Sequence, residues 1–412
     1  MSISKYHSHL LVVLLVLLVS TWSCQPPSEQ HLINLNIENG LPIVRRHLPI
    51  RIPLDQLKSI SPDFTFSAFA LAMGDPTDRQ NPPKRIPYQA DDLNYDGEKD
   101  ELVFLLDFQA NQAQTAVIQY APGQAPKEDG DPIAIELIFQ RKSQAGIFPS
   151  LAVPVALESN LSLFLLQTNG AISAFAKDKS SLHLQQVAQN KTISELEGLI
   201  QVSESQEQDR FGVGGFAIWD NQERKFISIR SDSDYARVPV SGGLRATTER
   251  IWPKLIVDKQ TTVSVLHRST VYADNAILQQ QVLIDGLDGL NNRLSVVVGL
   301  TEGEVIEKSL LKWEDRSVSA IVLPLSNVSA TGDSTLLFDS KAEWKTYLFH
   351  SADQPIQSME ELEKIAKLLV ASLNSPPSLT LSLPKKNKKE NKLPPNSKTK
   401  IDDSENEENK TK

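Results

Sequence analysis

The chain has little cysteine, few aromatic residues and no surplus of positive charge. Among its 412 residues there is one cysteine, and aromatic residues make up 6%. A single cysteine excludes an internal disulfide framework, and no set of His, Cys and Glu residues has the spacing of a zinc site. The net charge of −9 argues against broad binding to nucleic acid or other polyanions.

Two common catalytic motifs are also missing. There is no Gly-x-Ser-x-Gly elbow, which leaves a Ser-His-Asp hydrolase unsupported. The glycine-rich run 212–215 lacks the Gly-Lys-Ser/Thr ending of a phosphate-binding loop. Strand-like residues, Phe216 to Trp219, follow this run where a phosphate site needs the N-terminus of a helix. A phosphate-cradling loop is therefore rejected.

An unbroken apolar run lies close to the N-terminus. Leu10–Val19 consists of ten Leu and Val residues, with Lys5 before it and Cys24 after it. A run this short predicts an export signal rather than a membrane-spanning helix. The arrangement resembles a bacterial lipoprotein signal peptide over residues 1–23, which implies that Cys24 is lipidated and that residues 24–32 form a tether. Thr21 and Trp22 depart from the residues that this pattern prefers.

The alternative to lipidation is a secreted protein with a stray thiol. The sequence favours the lipoprotein, exported and anchored in the bacterial envelope, at the outer membrane or the periplasmic face, by its lipid alone. The tail, residues 384–412, is rich in charge and poor in apolar residues, so it is predicted to be disordered. Acidic residues follow its lysines and compete for them, which argues against a nucleic-acid-binding arm.

Between these ends, apolar and polar residues alternate with a period of two, which is typical of β-strands. The pattern predicts an all-β protein, built as one large antiparallel β-sandwich or two stacked ones. Residues 33–120 are expected to form an N-terminal β-sandwich and residues 133–383 a larger one, beginning with a strand over 133–140. One amphipathic helix is predicted at 358–373, where leucines and isoleucines recur at helical spacing.

An acidic loop precedes the apolar segment 102–106. Asp92, Asn94, Asp96 and Asp100 occur at positions 1, 3, 5 and 9 of a pattern around Gly97, and Ca²⁺ needs several oxygens converging from one turn. The loop is not an EF-hand, because position 12 is Val103 and a strand is predicted to follow. Two interpretations stay open: a short calcium loop, and an Asp-Gly hairpin turn whose acids are solvated.

Several blocks of sequence resemble a known family. The segments 41–54, 86–97 and 100–104, followed by the glycine-rich strand 212–220 and the segments 240–246 and 281–287, are similar in order to a family of secreted bacterial proteins, domain of unknown function 4861. The resemblance extends over roughly residues 33 to 383. Members of this family often accompany polysaccharide-degrading enzymes, so the resemblance implies a link to glycan use. A His- and Asp-containing stretch expected before the glycine-rich strand is replaced here by residues 203–211.

Side chains that could carry chemistry are concentrated in two predicted neighbouring strands. Sugar-processing β-sandwiches work with a pair of carboxylates, or with a Tyr or His base opposite a basic residue that neutralises a uronate. The candidate catalytic residues are Arg245, Arg250, Lys254, His267, Arg268 and Tyr272. Trp219 and Trp252 are candidates for stacking on sugar rings, although tryptophan in a β-sandwich is more often part of the core.

Alternation along the strands separates these candidates into two faces. Arg268 and Tyr272 share one face of their strand, while His267 shares the other with valines and is expected to be a structural histidine. Arg245 and Arg250 lie on opposite faces of the preceding strand. The competing interpretation is a solvated face with cross-strand ion pairs, which contribute little to stability.

Together these patterns predict an envelope lipoprotein that uses extracellular polysaccharide. One hypothesis is a lyase or hydrolase acting on uronic-acid-containing oligosaccharides. The other is a non-catalytic glycan-binding or scaffolding lipoprotein stabilised by calcium. Either way, the expected partners are an oligosaccharide or polysaccharide and the membrane through the lipid anchor, with no nucleic acid.

Overall fold

A computed structural model describes residues 31–66, 69–75, 78, 80–122, 141–148, 155–178, 180–189, 199–203, 211–229, 234–286, 293–314, 318–350 and 356–384. The predicted signal peptide, Cys24, the strand over 133–140 and the tail beyond residue 384 lie outside this range. Strands account for 57% of the structure and helices for 9%, which confirms the all-β prediction. No helix in the described part of the chain combines the length and apolar character needed to cross a membrane.

The N-terminal part of the chain forms two small sheets. Its elements are β1 (His31–Glu38), β2 (Arg45–Pro53), α1 (Leu54–Ile60), β3 (Phe69–Met73), β4 (Lys84–Arg85), β5 (Gln89–Asp91), β6 (Glu101–Phe108) and β7 (Ala113–Tyr120). Strands β2, β6 and β5 form a three-stranded sheet, and β1, β7, β3 and β4 belong to a five-stranded one. The inward-facing apolar residues of both sheets share one core, for example Leu35, Ile52 and Phe104, so the two sheets form a sandwich.

The middle of the chain contributes the next group of strands. These are β8 (Ser143–Ile147), β9 (Val155–Ser159), β10 (Ser162–Leu166), β11 (Ile172–Lys177), α2 (Leu184–Ala188) and β12 (Leu199–Ser203). They form a five-stranded sheet in the order β12-β11-β10-β9-β8. Its three central strands, β9, β10 and β11, are buried on both faces, since one face joins the main core and the other carries a separate cluster around Leu163 and Phe175.

The remaining elements include all the strands of the largest sheet and of a five-stranded companion. They are β13 (Val213–Asp220), β14 (Lys225–Ile227), β15 (Tyr235–Ser241), β16 (Arg245–Ile256), β17 (Thr262–Tyr272), β18 (Ile277–Asp285), β19 (Leu294–Leu300), β20 (Glu304–Ile306), β21 (Ser309–Glu314), β22 (Val318–Pro324), β23 (Val328–Thr331), β24 (Thr335–Phe338), β25 (Lys341–His350), α3 (Met359–Asn374) and β26 (Ser378–Ser382). An eight-stranded sheet runs β15-β16-β17-β18-β25-β22-β21-β20, and β14-β13-β19-β24-β23 is the companion.

The eight-stranded sheet organises the rest of the molecule. Its inner face packs against the companion sheet and the sheet β12-β11-β10-β9-β8 in one core that contains Phe216, Trp252 and Trp344. On its outer face, one end is covered by α3, through Leu362 and Ala366. The N-terminal sandwich contacts another part of the same outer face. The outer face is therefore the place where three parts of the chain meet.

Helix α3 lies where the sequence predicts a helix. The strand after it, β26, does not belong to the domain in which the sequence analysis placed it. The Ser358 hydroxyl accepts the Glu361 N–H at 3.2 Å, so serine caps the helix that the sequence predicts at 358–373. Strand β26 then pairs with β1, with Leu381 opposite Leu35. The predicted second domain, 133–383, is therefore corrected at its C-terminal end, because the chain returns to the N-terminal sheet after α3.

Two glycines explain why the glycine-rich run leads into a strand. Gly212 has φ +59°, and a Cβ there would lie 2.1 Å from the Ile172 carbonyl oxygen. Gly214 has φ +73°, and its carbonyl accepts hydrogen bonds from the Gln280 amide and the Trp344 indole, both at 2.9 Å. Both positions need a left-handed backbone at close approach, which favours glycine. The glycines of the run 212–215 therefore allow neighbouring strands to pack closely.

Candidate functional site

A polar cleft of about 280 Å³ lies where the N-terminal sandwich meets the outer face of the eight-stranded sheet. Four neighbouring strands of the sheet, β16, β17, β18 and β25, supply most of its polar side chains, and β2 and β6 supply the rest. Because side chains alternate across a strand, residues two apart point into the cleft from each strand. The polar residues used below are Arg51, Glu101, Arg245, Thr247, Glu249, Arg268, Thr270, Tyr272, Gln279, Gln281 and Glu343.

Arg245 holds the two sandwiches together at one wall of the cleft. It is 3% exposed, and its Nε donates to Asp91 Oδ2 at 2.8 Å, while its other nitrogens bind Asp91 and Glu101. Burial alone would lower the pKa of the Arg245 guanidinium, but the Asp91 and Glu101 carboxylates raise it overall. Gln89 adds backbone contacts, since its Oε1 accepts from the Arg245 N–H at 3.1 Å. Arg245 is thus a buried structural cation with two acidic partners.

A second charged group lines the opposite side. Glu249 is fully buried and accepts from Arg237 Nε at 2.6 Å and from Arg268 Nε at 2.7 Å. Two arginines share one carboxylate, which leaves a surplus positive charge at this edge. The side chain of Arg268 is 40% exposed, so part of its guanidinium is accessible. The ring of Tyr95, in the acidic loop, lies 5.0 Å from the Arg237 guanidinium.

Tyr272 and Arg51 line the cleft, and among the described residues neither makes a side-chain hydrogen bond or an ion pair. Tyr272 lines the cleft, and within the described residues its hydroxyl makes no hydrogen bond. Arg51, on β2, is exposed and forms no ion pair with any residue that the structure describes. The cleft therefore presents an uncompensated cation near a free phenol. Among the described residues, the Gln279 amide is likewise unpaired and lines the same space.

The structure places His267 away from the cleft. It lies on the inner face of β17, where it is 3% exposed and packs against Phe216 at 4.7 Å between ring centroids. Its Nε2 is 3.1 Å from Gln280 Oε1 and 3.0 Å from the Ser269 hydroxyl. Burial, assisted by the nearby Arg250, lowers the pKa of His267 to about 4. His267 was a candidate catalytic residue, but it does not line the cleft. Its position in the core agrees with the structural role that its valine neighbours predict.

Four other sequence candidates also lie outside the cleft. Arg250 is on the inner face of β16, pairs with Asp234 and lies 5.2 Å from the Trp252 ring. Trp252 is fully buried, so it is not available to a sugar ring. Lys254 is exposed beside a bulge in β16 and does not line the cleft. Trp219 is half-buried and packs on Phe226 with centroids 4.8 Å apart.

The acidic loop has its oxygens engaged by its own backbone. Asp92 accepts the N–H groups of Tyr95 at 2.6 Å and Gly97 at 2.9 Å, and Asp100 accepts that of Leu93 at 2.6 Å. Among the described residues, no group of three or more His, Cys, Asp or Glu side chains is arranged to hold a metal ion. This geometry fits the hairpin-turn interpretation better than the calcium loop. Calcium binding stays a prediction.

Sequence reasoning missed part of the site. Arg51, Glu101, Gln279, Gln281 and Glu343 line the cleft, but none of them was a candidate. For Gln279 and Gln281 a signal existed, because they are polar residues spaced by two on β18, which is next to β17. Glu343 lies one strand further away, on β25, where it is opposite Gln281. No local signal marked Arg51 or Glu101, which lie far away along the chain and are brought in by the N-terminal sandwich.

Comparison with solved structures gives matches of low identity that cover less than half of each solved chain. The chain is similar to an alpha-mannosidase from Enterococcus faecalis V583, with a TM-score of 0.47 and 9% identity over 87% of this chain and 46% of that chain. It is also similar to a protein in the Glycosyl Hydrolase Family 38 from Enterococcus faecalis, with a TM-score of 0.45 and 9% identity over 86% and 48%. The chain thus spans less than half of either protein. No curated protein matches it.

A family model matches one segment of the chain, about a quarter of its length. Residues 37–141 match the family described as Domain of unknown function (DUF4861). The matched segment extends from β1 beyond β7 and includes the acidic loop, Asp91 and Glu101. It confirms the family resemblance that the sequence blocks predict.

Proposed function

We propose that the polar cleft binds uronic-acid-containing oligosaccharides and cleaves them by elimination. The observation that carries the proposal is the uncompensated charge of Arg51, which lines the cleft together with the free hydroxyl of Tyr272. Arg51 is exposed, and no ion pair with a described residue engages its guanidinium, so it is accessible to the carboxylate of a ligand. Arg268, which shares Glu249 with Arg237, adds a second accessible positive charge.

The rest of the cleft suits sugar hydroxyl groups. The hydroxyl oxygens of Thr247 and Thr270 lie 3.0 Å from each other and face the cleft. The Gln281 amide N–H donates to the Glu343 carboxylate at 2.7 Å. Together with Gln279 they offer both donors and acceptors, which hydroxyl groups require. A cleft lined mainly by polar side chains does not fit an apolar ligand.

The reaction that these groups support is a β-elimination. Arg51 and Arg268 would bind the uronate carboxylate and stabilise the negative charge that develops on it. The ionised Tyr272 oxygen would remove the proton from carbon 5, the electron pair would form the carbon 4–carbon 5 double bond, and the bond from carbon 4 to the glycosidic oxygen would break. The phenol proton then passes to the leaving oxygen, which restores the phenolate.

Hydrolysis is less well supported by the same geometry. A glycoside hydrolase needs two carboxyl groups, of which one donates a proton. In this cleft Glu101 is bound by Arg245, Glu249 is bound by two arginines, and Glu343 accepts from Gln281 and lies 3.3 Å from the Lys341 ammonium. Each of these carboxyl groups is therefore already engaged by neighbouring side chains, and none of the three is free to approach a glycosidic oxygen.

A glycan screen tests the proposal. The full chain is incubated with uronate-containing oligosaccharides, and the ultraviolet absorbance of the unsaturated product and the binding heat are both measured. We expect Tyr272→Phe to abolish product but retain binding, and Arg51→Gln to weaken binding. Lys254→Gln, which removes an exposed positive charge outside the cleft, is the matched control and should change neither.

Each outcome of the screen has a definite meaning. Binding that depends on Arg51, without product from any oligosaccharide, would replace the enzyme with a non-catalytic glycan-binding lipoprotein. If neither binding nor product is found for any acidic glycan, the proposed function is wrong. Product that survives in Tyr272→Phe would reject Tyr272 as the base.

We also propose that the protein is exported and held in the bacterial envelope by a lipid on Cys24. The proposal is supported by the order of Lys5, the apolar run Leu10–Val19 and the lone cysteine. Cells grown with labelled palmitate should label the wild type but not Cys24→Ser, which should leave the membrane fraction. Equal membrane recovery of the two proteins would contradict lipid anchoring.

A further inference from the structure

A second cavity of about 340 Å³ lies beside the polar cleft. It is bounded by the segment 43–49, by α3 and by the outer face of the eight-stranded sheet, and Tyr272 and Gln279 border both spaces. Its walls are largely apolar, because α3 presents Ile365, Leu368 and Leu369 to it. The apolar side chain of Leu368 is 53% exposed, which leaves the cavity open to ligands.

One cation in this cavity has no partner. Lys345 lines the cavity from β25, opposite Gln279 on β18, and makes no ion pair or hydrogen bond with the residues described. Burial, followed by the repulsion of Arg51, lowers the pKa of Lys345 to about 8. A lysine in an apolar cavity near another cation is destabilised unless an anion joins it.

A second cation in the same cavity is only partly satisfied. Arg45 is 5% exposed, and its Nη2 donates to the carbonyl oxygens of Ser372, at 3.1 Å, and Ser375, at the C-terminal end of α3. Its Nε and Nη1 are buried and have no partner in the described part of the chain. No carboxylate of a described residue forms an ion pair with Arg45, and burial lowers the pKa of its guanidinium. Buried donors left unsatisfied are uncommon in native proteins.

We propose that this cavity binds an apolar carboxylate, a molecule with one carboxylate group and a hydrocarbon body. The apolar walls match the hydrocarbon, and Lys345 and the free N–H groups of Arg45 match the carboxylate. A neutral apolar ligand would leave both cations uncompensated. A sugar would leave the apolar walls unfilled. The inference goes beyond the proposed function and does not depend on it.

Calorimetry with octanoate and octan-1-ol tests the inference. The full chain carrying Cys24→Ser is used, so that no lipid enters the assay. We expect octanoate to bind at least about tenfold more tightly than octan-1-ol, because hydrogen bonds to charged groups contribute this much. Lys345→Met should reduce the affinity for octanoate about tenfold and leave that for octan-1-ol unchanged.

A second variant tests the apolar wall without risk to the core. Leu368→Glu places a negative charge at an exposed position of the cavity, and it should weaken octanoate binding about tenfold through repulsion and loss of apolar contact. Lys367 lies on the same helix but does not line the cavity. Lys367→Gln changes the net charge by the same amount as Leu368→Glu, so this variant should bind octanoate as the wild type does.

The results separate this inference from the proposed function. Absence of octanoate binding, or equal affinity for octanoate and octan-1-ol, overturns the apolar-carboxylate site, whatever the glycan screen gives. Octanoate binding that is unchanged in both Lys345→Met and Leu368→Glu places the ligand elsewhere and also overturns it. Octanoate binding lost in both variants but kept in Lys367→Gln supports it, even if no glycan binds.

Discussion

Replacing Lys345 by methionine is expected to stabilise the protein. Lys345 is half-buried and lacks an ionic partner among the described residues, and its pKa falls from 10.5 to about 8 through burial and the Arg51 charge. This difference corresponds to at most about 3 kcal/mol of cost to the folded state at neutral pH. Methionine fills a similar volume, carries no charge and removes that cost. The free energy of unfolding at pH 7 should rise by up to about 3 kcal/mol.

The pH dependence gives the sharper test. Below pH 8 both the folded and the unfolded chain carry the Lys345 charge, so the cost is fully present. Between pH 8 and 10.5 the unfolded chain binds more protons, so the cost is progressively relieved and stability rises with pH. Urea unfolding from pH 7 to 10.5 should therefore show that the difference in the free energy of unfolding between Lys345→Met and the wild type becomes smaller as pH rises. Lys177, whose pKa is also lowered to about 8, contributes equally to both proteins and cancels in the difference.

Lys341→Met is the matched control on the same strand. The Lys341 side chain is 59% exposed and lies 3.3 Å from Glu343, so its replacement should change stability little at any pH. If Lys345→Met is destabilising at pH 7, or if its difference from the wild type is the same at pH 7 and 10.5, then Lys345 is not an uncompensated cation and the reasoning behind the second cavity fails.

Three further predictions concern the core, the domain contact and the acidic loop. Arg245→Met should destabilise the protein by about 3–5 kcal/mol in urea unfolding, because Asp91 and Glu101 lose their buried partner; a change below about 1 kcal/mol would contradict this. The pKa of His267 is about 4 in the folded protein and 6.5 in the unfolded chain, so the free energy of unfolding should fall by up to about 3 kcal/mol as pH drops from 6.5 to 4. His267→Gln should not show this part of the pH dependence. If Asp92 to Asp100 bind calcium, chelator should lower the wild-type melting temperature but not that of Asp96→Ala; an unchanged wild type means that the loop is only a turn.

The sequence alone determined the all-β class, many of the strands and which side chains share a face. Period-two alternation correctly placed Arg268 and Tyr272 on one face of β17 and His267 on the other, because neighbouring side chains in a strand must point to opposite sides. Helical spacing of leucines and isoleucines predicted α3, and the structure adds the Ser358 cap. These are local properties, set within a few residues.

Tertiary structure decided which of the two faces became a site. Alternation does not say which layer will cover a face: the valines beside His267 favoured a structural position for it, but nothing local assigned Arg250 to the inside. The partners of Arg245 lie 154 and 144 residues away, and β26 returns to β1 across almost the entire described chain. Such contacts depend on how whole sheets pack. Local pattern therefore specified the strands, but only the meeting of the N-terminal sandwich, α3 and the eight-stranded sheet created the cleft and placed Arg51, Arg45 and Lys345 beside it.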